Sequence, residues 1–153
     1  MLRRAVRGGL LLAVAVALGG LASTAMASPA GGTLYITDHQ VDTHKEGWEK
    51  ELKKVNKAAL IKQGDAWHVF FVAYMKKAPG APDVNLVFYS LAGGKAEEAN
   101  AFPIQTQPTA KILMSDVQVA TDTGIKPGKY EVRVTRLIDG KEEVYARTHL
   151  ELK

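Results

Sequence analysis

Four residues within one short segment could bind a metal ion. The segment DHQVDTH, residues 38–44, contains two imidazoles and two carboxylates, which belong to Asp38, His39, Asp42 and His44. Imidazole together with carboxylate suits zinc, copper or nickel. A histidine pair on one helix face needs a spacing of four and these two are five apart, so any site here is formed by a loop. The alternative is that an exposed loop before a helix carries Asp and His for capping and solubility.

The sequence contains no local signature of hydrolysis or phosphoryl transfer. It has no Gly-x-Ser-x-Gly motif, and the stretch AGGK lacks the spacing and the following Ser or Thr of a nucleotide-binding loop. Adjacent glutamates such as Glu97 and Glu98 would point to opposite faces of a strand, a poor arrangement for glycoside hydrolysis. A triad assembled from residues distant in the chain would leave no such motif. We interpret the protein as noncatalytic, with no cofactor unless residues 38–44 bind copper or zinc.

Cysteine is absent from the whole chain. Disulfides, a thiol nucleophile, thiolate metal ligands and the lipidated cysteine of a bacterial lipoprotein are therefore excluded. The histidine and carboxylate side chains named above are the remaining candidates for a metal site.

The C-terminal segment, residues 130–153, predicts a β-hairpin. Its sequence YEVRVTRLIDGKEEVYARTHLELK alternates apolar and polar residues in two runs joined through LIDGKE. A three-residue loop, residues 138–140, sets apolar residues of the two strands against each other and pairs Glu131 with Arg147. A two-residue Asp-Gly turn would set apolar residues against polar ones, so we predict the three-residue loop.

The exposed face of this hairpin offers a candidate partner surface. It is predicted to carry Arg133, Tyr145 and Arg147. The alternative is that these side chains only contact solvent, as most polar residues on an exposed sheet face do.

The first 27 residues have the three regions of a secretory signal peptide. Arg3, Arg4 and Arg7 precede an apolar run, and small residues then lead to an Ala-x-Ala pattern that ends at Ala27. The apolar run is too short to cross a bilayer, which needs about 20 residues. We predict cleavage near Ala27, a periplasmic or secreted product without a membrane span, and one domain formed by residues 28–153.

Net charge argues against a nucleic-acid partner. The whole chain carries +4, but the predicted signal peptide contributes three arginines and no acidic residue, which leaves +1 on the domain. That charge is too small for broad attraction to a phosphate polymer. A protein or another component of the cell envelope is the partner class that remains, and nothing in the sequence indicates an oligomeric state.

The rest of the sequence predicts short β-strands separated by turn residues. Strands are predicted at TLYITD (33–38), AWHVFFVAYM (66–75), VNLVFYSL (84–91), FPIQTQP (102–108) and TAKILMSDVQVA (109–120). This spacing is typical of an antiparallel sandwich or barrel.

One amphipathic helix is predicted over residues 44–56, where Thr43 and Glu46 resemble a capping box. The strand at 66–75 is apolar on both faces, so both faces should be covered. We predict that the apolar face of the helix covers one of them, and a partner protein is the alternative. That helix face contains Trp48, Leu52 and Val55.

The segment IKPGKYEVRV, residues 125–134, resembles the approach to the penultimate strand of fibronectin type III and other immunoglobulin-like sandwiches. The matching positions are Ile125, Pro127, Gly128 and Tyr130. In that family the tyrosine hydroxyl caps the corner between strands by bonding to backbone upstream. The resemblance implies a mostly β fold, an antiparallel immunoglobulin-like sandwich of about seven strands, with the one short helix near its start. It implies no particular activity, because such sandwiches serve adhesion, chaperoning and ligand binding alike.

Two functional hypotheses follow. The first is an exported, noncatalytic β-sandwich that binds a protein partner or an envelope component, and it predicts an open apolar or aromatic surface. The second is a periplasmic copper- or zinc-binding or metal-delivery protein that uses the loop from Asp38 to His44.

Overall fold

The structure, a computed structural model, describes residues 31–153, which are mostly β-structure with one short α-helix, as predicted. The elements are β1 (Thr33–Thr37), α1 (Trp48–Val55), β2 (Ala59–Leu60), β3 (Ala66–Tyr74), β4 (Asp83–Ser90), β5 (Glu97–Gln105), β6 (Ile112–Ala120), a 3₁₀ turn (Thr121–Thr123), β7 (Gly128–Ile138) and β8 (Lys141–Leu152). The predicted signal peptide and its cleavage position lie outside the described residues. Within that range, no helix has the length and apolar character needed to cross a lipid bilayer.

The strands form one mixed sheet that curls into a nearly closed, barrel-like arrangement. Their order is β5-β4-β7-β8-β1-β3-β6, and β2 pairs with β8 beside this path. β1 and β2 run parallel to β8, so the sheet is not purely antiparallel as predicted. β1 and β2, near the start of the domain, thus pair in parallel with the last strand, whereas an antiparallel meander contains no parallel pair. β5 and β6 end the order, so each has one edge without a strand partner in the described chain.

Large apolar side chains from β3, β4 and β7 meet in one core. The Phe88 ring packs edge-on against Phe102 and Tyr130, with ring centroids 5.7 Å and 6.1 Å apart. Trp67 is fully buried, and its indole N–H donates a hydrogen bond to the Lys153 carbonyl oxygen at 2.9 Å. This bond ties the backbone of Lys153, whose side chain is exposed, to the core.

Helix α1 covers half of the second face of β3. Leu52 is fully buried against Val72 and Tyr74, and the Tyr74 hydroxyl donates to Glu49 Oε1 at 2.8 Å. The prediction that this helix covers β3 is confirmed for these residues. Phe70, further along the same face, is only half-buried.

Helix α1 begins at Trp48, four residues later than predicted. Gly47 precedes it with φ of 76°, and no side chain caps the helix, so the predicted capping box of Thr43 and Glu46 is not formed. A left-handed backbone is easily adopted only by glycine. The residues before Gly47 therefore form turns rather than the first helical turn.

The β7–β8 hairpin closes through a two-residue turn, so the predicted three-residue loop is wrong. Ile138 pairs with Lys141, and the two residues between them, Asp139 and Gly140, have φ of 52° and 75°. Positive φ at both positions is the type I′ turn that Asp-Gly favours in hairpins, because its twist matches that of the strands.

A β-bulge in β8 turns the Tyr145 side chain toward the core, so the prediction that Tyr145 is exposed is wrong. Thr135 pairs with Val144, whereas Val134 pairs with Ala146, so Tyr145 is an additional residue in β8. Tyr145 and Ala146 are both buried, at 1% exposure each. The prediction assumed strict alternation, which a bulge interrupts. Tyr145 therefore belongs to the core and not to a partner surface.

The Tyr130 hydroxyl ties the start of β7 to the preceding loop. It donates to the Lys126 carbonyl oxygen at 2.6 Å and accepts from the Lys126 backbone N–H at 3.0 Å. Both bonds join side chain to backbone four residues upstream, and the tyrosine ring is buried.

Replacing Tyr130 with phenylalanine should lower the free energy of unfolding by about 1–2 kcal/mol, because the N–H and carbonyl of Lys126 lose their partner. Urea denaturation followed by circular dichroism measures the change. Tyr35→Phe is the matched control, since the Tyr35 ring lies on the outer face beneath α1 and should change stability by less than about 0.5 kcal/mol. Equal losses in the two variants would refute a special role for the Tyr130 hydroxyl.

Candidate functional site

Charged and aromatic side chains interlock on the outer face of β4, β7 and β8. We call them the arginine cluster: Tyr89, Glu131, Arg133, Glu142 and Arg147. Arg133 donates from Nε to Glu131 Oε1 at 2.6 Å and from Nη1 to Glu142 Oε1 at 3.1 Å. Its guanidinium lies 4.1 Å from the centre of the Tyr89 ring, and the Tyr89 hydroxyl donates to Glu142 Oε2. Arg133 is therefore held from three sides.

These contacts shift the pKa values of three members of the arginine cluster, Glu131, Arg133 and Tyr89. The hydrogen bond from Arg133 lowers the pKa of Glu131, and the same bond raises the pKa of Arg133. Burial, followed by the hydrogen bond to Glu142, raises the pKa of Tyr89 to about 12. At neutral pH the cluster thus contains an ionised Glu131, a charged Arg133 and a neutral Tyr89.

Arg147 is the accessible cation of the cluster. It pairs with Arg133 across β7 and β8, its Nη1 lies 3.8 Å from Glu131 Oε1, and its side chain is 57% exposed. An exposed guanidinium can donate two parallel hydrogen bonds to a carboxylate. Arg133 and Arg147, two of the three predicted partner-surface residues, lie together here, whereas Tyr145 does not.

Tyr89 supplies the aromatic group of this face, and sequence reasoning missed it. The alternation in VNLVFYSL places Phe88 and Tyr89 on opposite faces, so an outward tyrosine could have been inferred. Its contact with Arg133 could not, because it requires knowing that β4 lies beside β7.

A second candidate surface lies on the outer side of β6. Ile112 and Met114 are 40% and 47% exposed, and both lie on the face that β6 shares with Phe70. A cleft of about 290 Å³ opens beside them. We call it the β6 cleft; it is lined by Gln40, Val41, Thr43, Phe70, Phe71, Met114, Ser115 and Asp116.

The β6 cleft has a largely polar lining that includes one carboxylate and a few apolar side chains. Phe70, Met114 and Val41 provide the apolar contacts, and Asp116 provides the charge. Asp116 Oδ2 lies 3.7 Å from His68 Nε2, and the Asp116 side chain is about half exposed. This arrangement can accept a side chain that has an apolar stem and a positive end.

The loop predicted to bind metal holds its residues in separate pairs. His39 Nδ1 contacts Asp38 Oδ1 at 2.7 Å, a hydrogen bond that lowers the pKa of Asp38, whereas the His44 backbone N–H donates to Asp42 Oδ1 at 3.0 Å. In residues 31–153 no three His, Cys, Asp or Glu side chains are grouped to hold a metal ion. Metal binding by these residues stays a prediction without geometric support.

The sequence matches no protein-family model, and no curated protein sequence matches it significantly. The arginine cluster and the β6 cleft are the surfaces that bear on function.

Proposed function

We propose that this chain is an exported, noncatalytic β-sandwich protein that binds a partner protein along β6. The observation that carries the proposal is the open apolar row of Ile112 and Met114, which lies beside a strand edge that no strand of residues 31–153 pairs with. Open apolar patches rimmed by polar groups mark interaction surfaces. The first functional hypothesis required such a surface.

The strand order supports a sandwich of the immunoglobulin-like kind. The β1–β8 ladder has a single residue pair, Thr33 with Arg147, and just beyond β3 the Lys76 N–H donates to the Tyr145 carbonyl of β8 at 3.0 Å. One half of the sheet contains β1, β3 and β6, and the other contains β5, β4, β7 and β8. Among the seven strands longer than two residues, this places the first, second and fifth together, as immunoglobulin-like domains do with strands A, B and E. The Tyr130 hydroxyl bonds add the corner that the family resemblance implies.

Metal delivery is the less well supported alternative. It requires His39 and His44 to converge on one ion, whereas each is held beside a different aspartate. The β6 cleft needs no such rearrangement to accept a partner.

Photo-crosslinking in the source organism tests the proposal. A crosslinking amino acid in place of Gln118, which is exposed on β6, should capture one defined partner protein. The double substitution Ile112→Lys, Met114→Lys should reduce that product about tenfold or more, since each change places a charge in the apolar row.

Leu137→Lys is the matched control because Leu137 is 72% exposed but lies at the tip of the β7–β8 hairpin. It should leave the crosslinked product unchanged. A product that persists in the double variant, or that disappears equally in the control, would contradict binding along β6. Circular dichroism of each purified variant shows whether the fold is retained.

A further inference from the structure

We infer that β6 binds its partner by strand addition, in which an extended partner segment pairs with the free edge of β6 and sets a lysine or arginine beside Asp116. This inference rests on the proposed function and specifies the partner segment. Strand addition is a general mode of peptide recognition in which backbone hydrogen bonds supply affinity and alternate side chains supply specificity.

On the side away from β3, the backbone groups of β6 pair with no other strand of the described part of the chain. The N–H of Met75 donates to the Lys111 carbonyl at 2.8 Å, and the N–H of Thr121 donates to the Asp65 carbonyl at 3.3 Å. These two bonds extend the β3–β6 register at both ends, so odd-numbered residues of β6 bond to β3. In an antiparallel pair the intervening residues point their N–H and C=O groups the other way. The groups that face the free edge belong to Ile112, Met114, Asp116 and Gln118.

Space for an added strand exists beside the start of β6. A depression of about 530 Å³ separates the end of β5 from β6 and extends along residues 112–114. At the far end of this gap, Asn100 Nδ2 donates to the Thr123 carbonyl at 2.8 Å, which holds β5 near the turn after β6. The two edge strands are thus held near each other while the edge of β6 itself stays open.

The side chains of β6 define what the partner segment carries. The residues whose backbone groups face the free edge also point their side chains to the outer face, where Ile112 and Met114 are open. An added strand places alternate side chains beside them, so these partner residues should be apolar.

The next partner residue on the same face lies beside Asp116, and a long side chain there can extend across β6 toward the cleft on the β3 side. A carboxylate above the apolar floor of Phe70 and Met114 complements the charge and the methylene stem of lysine or arginine. The partner segment should therefore contain two apolar residues and one basic residue at alternate positions, so that all three point to the same face. The basic residue is the first or the last of the three, depending on the direction of the partner strand.

Fluorescence anisotropy with synthetic peptides tests this inference. The probes are two labelled peptides of alternating valine and threonine in which lysine replaces the first or the last valine, one for each chain direction. One of the two should bind the purified full chain, and Asp116→Lys should weaken that binding about tenfold or more. Replacing the peptide lysine with glutamate should restore binding to the Asp116→Lys variant.

Backbone methylation separates strand addition from simple side-chain docking. N-methylation of the alternate peptide residues that face β6 should abolish binding, whereas methylation of the other set should leave it within about threefold. Equal effects of both sets, failure of the charge exchange, or no binding of either peptide would overturn strand addition. If the peptide experiments fail but a partner protein is still crosslinked at position 118, binding of a protein along β6 is supported. Only binding by strand addition is then refuted.

Discussion

Replacing Trp67 with alanine should lower the free energy of unfolding by about 3–5 kcal/mol, the range for deleting a large buried aromatic side chain. Trp67 is fully buried in the core, and its indole N–H donates to the Lys153 carbonyl. The variant leaves a cavity in the core. It also removes one of the two hydrogen bonds to the Lys153 carbonyl, which still accepts from the Lys62 backbone N–H at 2.8 Å. Because single domains are stable by only about 5–15 kcal/mol, the loss removes a large share of the total.

Two further variants separate the contributions to this effect. Trp67→Phe keeps most of the ring but removes the hydrogen bond, so it should cost clearly less than Trp67→Ala. Trp48→Ala removes the other tryptophan, which is half-buried and packs beside Leu52 on the outer face of the sheet. It should lower the free energy of unfolding by less than Trp67→Ala does. Urea denaturation followed by far-ultraviolet circular dichroism measures all three. A loss below about 1.5 kcal/mol in Trp67→Ala would contradict its central place in the core.

Replacing Arg133 with methionine should lower the free energy of unfolding at pH 7 by about 2–3 kcal/mol, because Glu131 and Glu142 lose charged hydrogen-bond donors. Arg133 is only 20% exposed, and methionine preserves part of its packing on the Tyr89 ring. The arginine cluster should therefore behave as one stabilising unit on the sheet face.

The same variant should change the dependence of stability on pH. The folded-state pKa of Glu131 is lowered, so its contribution is complete above its unfolded pKa of about 4.3 and is lost as pH falls through the folded value. The wild type should thus lose stability in acid more steeply than Arg133→Met.

The pKa of Tyr89 is raised to about 12, so its contribution to stability is present below about pH 10 and is lost as pH rises through 12.

Arg147→Met is the control for the arginine cluster. Arg147 is more than half exposed and lies 3.8 Å from Glu131, so its removal should change stability by less than about 1 kcal/mol. Parallel acid titrations of the three proteins, each followed by urea denaturation, provide the comparison. Identical acid profiles for the wild type and Arg133→Met would show that Glu131 is not stabilised by Arg133.

Local patterns were sufficient to predict the strands with strong alternation and the helix that covers β3. They failed where the structure departs from strict periodicity. The bulge at Tyr145 permits two neighbouring buried residues, and a period of two cannot anticipate that. β5 begins at Glu97, five residues before the strand predicted at 102–108, because its pairing with β4 rather than its own composition keeps these residues extended.

The candidate surfaces depend on topology more than on sequence. Arg133 and Arg147 were found because both lie in one hairpin, whose two strands are neighbours in the chain. The role of β6 was not predicted, since the sequence ILMSDVQVA reads the same in an edge strand and in a central one. Only the strand order identifies β6 as an edge and Met114 as open.

The strand partners of β1 limit how early in folding the sheet can be completed. β1 is the first strand, but its partners are β3 and, near the opposite end of the chain, β8. Contacts between such distant segments form slowly, because a long loop must close before they contribute. As the chain is synthesised from its N-terminus, β1 can pair with β3 early, whereas its pairing with β8 must wait for the last hairpin. The complete sheet should therefore form only when synthesis of the domain is nearly finished.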